Sequence, residues 1–131
     1  MKVWLVLIGI QVMILALGFA FLGEQFLAVA IFGAPVVNLL LWTGLICLAG
    51  CAASATPRSG FHRRMMQVLL IAAVIWFPVS LGIFGNAHFS GTTPFLWQAW
   101  LAGTASIILL SLGSILSSML RRLLAGTSKP T

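Results

Sequence analysis

VWLVLIGIQVMILALGFAFLGEQ, Val3 to Gln25, is uncharged from Val3 to Gly23 and then meets Glu24, the only carboxylate side chain in the 131 residues. Three further long apolar runs follow, and the lysines and arginines are confined to the middle linker and to the two ends of the chain. A water-soluble fold of this size carries charge over its whole surface, whereas this chain is 61% hydrophobic and 6% charged, with a mean hydropathy of +1.16. The solvent implied is lipid, and the fold class implied is an all-α integral membrane protein.

Length sets the number of spans. A helix rises about 1.5 Å per residue, so about 20 mainly apolar residues cross a hydrocarbon core about 30 Å thick. Four spans and their turns account for the whole sequence as a single transmembrane domain, 1–131, with spans near 3–22, 35–54, 66–84 and 95–120. Alternating passage through the membrane makes this an up-down bundle.

The first run begins after Lys2 and has small residues at Gly18 and Ala20, as a cleaved signal would. Its apolar stretch exceeds the roughly 7–15 residues of a signal core, which indicates a retained helix. The second run, Phe26 to Ala55, is too long for one perpendicular span. Proline favours a first helical turn, so one reading starts the span near Pro35 and lays Phe26 to Phe32 at the interface or back against the bundle. The other is one long tilted helix kinked at Pro35. In the third run Pro78 predicts a kink, because the carbonyl one turn earlier, near Val74, loses its donor. The fourth run is expected to stop at Arg121 and Arg122.

All seven basic residues fall on one side of the four-span scheme: Lys2, then Arg58, Arg63 and Arg64, then Arg121, Arg122 and Lys129. Positive charge stays cytoplasmic, so both termini are expected in the cytoplasm of a bacterial-type inner membrane, with Glu24 and His88 on the other side. The basic balance therefore reflects topology and implies no nucleic-acid partner. Anionic lipid headgroups are the expected counterions of Arg58, Arg63, Arg64, Arg121 and Arg122. Trp4, Trp97 and Trp100 sit at span ends, where indoles bridge hydrocarbon and headgroups. Trp42 and Trp76 fall near mid-span; each fills a packing gap, or finds an acceptor such as a carbonyl freed by Pro78 in the case of Trp76.

Chemistry-bearing residues are few. Ion-coupled carriers use an ionisable residue inside a span, and the four spans have none. His62 and His88 are separated by the third span; 26 residues at about 1.5 Å put them roughly 39 Å apart, too far to ligate one haem within the chain. Cys47 and Cys51 share a helical face, but two sulfurs without a further ligand fall short of a four-coordinate site, and small packing cysteines are expected. No nucleophile, base and orienting acid can be assembled. The reading is thus no enzyme, no cofactor and no metal.

What remains is helix association. Gly103, Ser106, Ser111, Gly113, Ser114, Ser117 and Ser118 form two adjacent small-residue stripes on the fourth span, one through Ser106, Gly113 and Ser117, the other through Ser111, Ser114 and Ser118. Small side chains let helices approach closely. The amides of Gln11 and Asn38 are costly facing lipid, so both are expected to point at another helix. These features suit an accessory or scaffolding subunit of a larger respiratory, photosynthetic or transport complex, with other integral membrane subunits or the chain itself as partners. The competing expectation is a small homo-oligomeric channel or carrier for a neutral or weakly polar solute, lined by Gln11, Asn38, Thr43, Gln98, Thr104 and the serines.

Overall fold

A computed structural model of the chain describes residues 1–31, 33–56, 60–85 and 93–127, with residues 126 and 127 described by backbone alone. Four α-helices dominate it: α1 (Lys2–Leu22), α2 (Val36–Ala55), α3 (Phe61–Phe84) and α4 (Pro94–Thr127). Each is long and apolar enough to cross a membrane, so the chain is a multi-pass membrane protein.

The segment ahead of Pro35 does not extend α2. A 3-10 helix, Gly23–Ala28, turns the chain at the end of α1, and a two-stranded antiparallel hairpin follows, β1 (Ala30–Ile31) with β2 (Ala34–Pro35). Gly33 turns this hairpin at φ 79, a conformation that side chains resist. Pro35 then caps α2 with an extended backbone, which replaces the single kinked helix by a break. Phe26 is buried, its ring against Gly18 of α1, so the apolar piece folds back on the first helix.

Two helices extend beyond the expected spans. α3 starts at Phe61, which places His62, Arg63 and Arg64 in its first turn, and it runs unbroken through Pro78. α4 does not stop at Arg121 and Arg122 but continues to Thr127. Arginine, leucine and alanine are strong helix formers, and nothing interrupts the helix before Gly126. Its 34 residues give a length of about 51 Å at 1.5 Å each, more than a hydrocarbon core needs.

α2 is the hub and packs against all three other helices. The core joins Leu45, Ala49 and Ala52 of α2 to Met66, Leu69, Ala73, Trp76 and Phe84 of α3 and Ile107 of α4. Ala49, Ala52 and Ala73 are wholly buried, and such small residues allow close backbone approach. α1 leans mainly on α2 and has no buried residue. Outward leucines, such as Leu109 at 68% exposure, leave apolar surface on the outside of the bundle.

Candidate functional site: polar locks inside the bundle and a small-residue face outside it

The α3–α4 contact is closed by a reciprocal ring of hydrogen bonds. The Trp76 indole N–H donates to Thr104 Oγ1 (2.8 Å), whose hydroxyl donates to the Trp100 carbonyl (2.8 Å). The Trp100 indole N–H donates to Ser80 Oγ (2.7 Å), whose hydroxyl donates to the Trp76 carbonyl (2.6 Å). Each helix thus contributes a tryptophan and, four residues on, a hydroxyl that bonds back to its own turn and accepts from the other helix. Each hydroxyl donates once and accepts once, which satisfies both indole N–H groups within the protein. The Trp76 and Trp100 rings lie 5.4 Å apart, and Phe84 and Trp97 extend the cluster towards the helix ends.

A second lock joins α2 to α3. Pro78 leaves the Val74 carbonyl without its helical donor, and the Trp42 indole N–H supplies one across the interface at 3.0 Å. The Trp42 ring also stacks on Phe77. The freed carbonyl therefore belongs to Trp42, and Trp76 bonds to Thr104, the reverse of the pairing suggested by Trp76's sequence proximity to Pro78.

α1 is fastened at two levels. Gln11 Nε2 donates to Thr43 Oγ1, whose hydroxyl bonds back to the Leu39 and Leu40 carbonyls. One end lower, the Trp4 indole lies on Gly50, so close that a Cβ there would stand 2.5 Å from the ring. Trp4 therefore does more than mark an interface. Asn38 is half-buried near the start of α2.

The candidate stripes of α4 part company. Ser111, Ser114 and Ser118 are buried within the bundle, together with Thr104 and Ile107. Thr56 uses its proton on the Ala52 carbonyl, so Ser114 donates to Thr56 Oγ1 at 3.1 Å and ties α4 to the end of α2. Ser111 is fully buried, and its hydroxyl has no hydrogen-bond partner among the described residues. Gly103, Ser106 and Gly113 instead lie exposed, with Ser117 half-buried at the border. These four fall within about 80° of one another at 100° per residue, so they form one outward face. A crevice of about 360 Å³ between the outer sides of α3 and α4 has Gly103 in its wall, beside Ile75, Val79 and Ala99.

Sequence reasoning passed over Ser80 and Thr56, and treated Thr43 and Thr104 only as pore candidates. The available signal was a Trp followed four residues later by Ser or Thr, at 76/80 and again at 100/104.

Arg63, Arg64, Arg121 and Arg122 are exposed at helix ends, as is His62; Arg58, His88 and Lys129 lie outside the described residues. Cys47 and Cys51 are buried free thiols. Among the described residues no group of three or more His, Cys, Asp or Glu side chains converges. Compared with known proteins, the chain matches no family model, no curated protein and no solved structure.

Proposed function

We propose that this chain is a non-catalytic accessory or scaffolding subunit of a larger protein complex in a bacterial-type inner membrane. The carrying observation is the division of its polar and small residues between inside and outside. Inside, the Trp76 and Trp100 indoles and the hydroxyls they meet are occupied by bonds between spans; outside, Gly103, Ser106 and Gly113 leave α4 open to close approach by another helix. The sequential pairings support an up-down bundle: Trp4 meets Gly50 while Gln11 meets Thr43, and Phe84 meets Trp97 while Trp76 meets Thr104. Both termini and all seven basic residues are then cytoplasmic.

The channel reading finds less support, because its candidate lining is dispersed. Gln11 and Thr43 meet between α1 and α2, Thr104 is bonded between α3 and α4, and Gln98 is exposed.

The test is whether partner chains depend on the outward face of α4. Gly113→Leu should release partner subunits from the particle purified in mild detergent while the chain itself stays folded. Leu109→Phe should release none. Partner retention that ignores Gly113→Leu would remove the α4 face from the account.

A further inference from the structure

We propose that the crevice between α1, α2 and α4 holds one acyl chain of an anionic phospholipid, with the lipid phosphate bound by Arg122. The crevice measures about 620 Å³, within the size range of ligand sites, and its walls are almost wholly apolar. Leu5 and Ile8 of α1 form one side, Ile115 and Met119 of α4 the other, and Leu48 and Ala55 of α2 the floor. Arg122 stands at one end of the same crevice. Between Ile115 and Arg122 the α4 axis advances about 10 Å, so the apolar part reaches about a third of the way into the hydrocarbon core.

Charge selects the occupant. Arg122 has no carboxylate side chain within the chain to pair with: Glu24 is the only one in the sequence, and it follows the far end of α1, about 30 Å from Leu5 along the helix axis. Arginine binds phosphate oxygens through a planar fork of N–H donors, and its alkyl stem can lie along apolar walls while the head reaches the interface. A wholly apolar helix from another protein would fill the walls but leave that guanidinium without an anion. A lipid supplies both parts, an acyl chain for the crevice and a phosphate for its end. This inference rests on the chain being a membrane protein and is independent of any partner subunit.

The test uses the purified full chain, stripped of lipid in detergent, with dioleoylphosphatidylglycerol or dioleoylphosphatidylcholine added and retention read by native mass spectrometry. One phosphatidylglycerol should remain per chain, with a preference over phosphatidylcholine of roughly fivefold, the gain expected for one arginine at an anionic surface. Arg122→Gln should erase the preference, and Arg121→Gln, one residue away but off the crevice wall, should keep it. Ala55→Phe should lower retention of both lipids by filling the floor. Equal retention of the two lipids, equal effects at Arg121 and Arg122, or indifference to Ala55→Phe would each overturn the proposal. A photocrosslinking residue at Met119 should capture phospholipid in membranes; capture of a polypeptide with no lipid product would assign the crevice to a protein helix and overturn it as well.

Discussion

Trp76 and Thr104 show how little of a membrane helix contact is decided by one residue. The buried indole N–H needs an acceptor, and the Thr104 hydroxyl is that acceptor only because its own proton is used on the Trp100 carbonyl. Removing one partner strands the other, whereas removing both strands neither. Thr104→Val should therefore destabilise the bundle by about 1 kcal/mol, and Trp76→Phe in addition should recover part of that loss; thermal unfolding in detergent checks it, and a double variant worse than the sum of the singles would count against the ring. Ser111 is the opposite case. Its hydroxyl is buried without a partner among the described residues, so Ser111→Ala should be neutral or raise stability by up to about 1 kcal/mol, while a clear loss would mean that an acceptor has been missed. The carbonyl freed by Pro78 was legible from the proline alone. Which indole takes it was not, because that depends on the register between α2 and α3, and residues 42 and 74 are far apart in sequence.

At the scale of helices, long uncharged runs are enough to locate spans, since a helix is the segment's way to satisfy its own backbone in lipid. The same solvent hides which side of a span faces inward. In water the inward face is apolar and the outward face polar, but here both are apolar, so hydrophobic periodicity carries little orientation and the two stripes of α4 looked equivalent. The structure separates them at adjacent residues. Ser114 is 7% exposed and bonded to Thr56, while Gly113 faces outward with nothing within 4 Å of an added Cβ. Ser114→Leu should thus lower the thermal midpoint of the isolated chain, whereas Gly113→Leu should leave it unchanged and act only on association. α1 depends on one glycine in the same way. Gly50→Val collides with the Trp4 ring, so in a background with Cys47 and Cys51 replaced by alanine, a disulfide between cysteines placed at positions 11 and 43 should form in markedly lower yield, with α2 to α4 still folded. Undiminished crosslinking would show that Trp4 is not what seats α1.

For the whole molecule, the composition carries the membrane assignment, and the placement of all seven basic residues on one side of the four spans carries the proposed orientation. With the basic residues cytoplasmic, a thiol reagent that does not cross membranes should label a cysteine at Thr93 in intact cells and leave one at His62 unlabelled; labelling at His62 would invert the scheme. Association with other subunits was not legible in either direction, because packing against another protein and packing within the bundle use the same small residues. The central claim is that this chain's outward surfaces belong to a larger complex, and the mass of the native particle released from membranes tests it most directly. The account predicts a particle containing this 14.0 kDa chain together with distinct integral membrane chains in fixed ratio; a particle whose mass is an integer multiple of 14.0 kDa, with only lipid added, would contradict it.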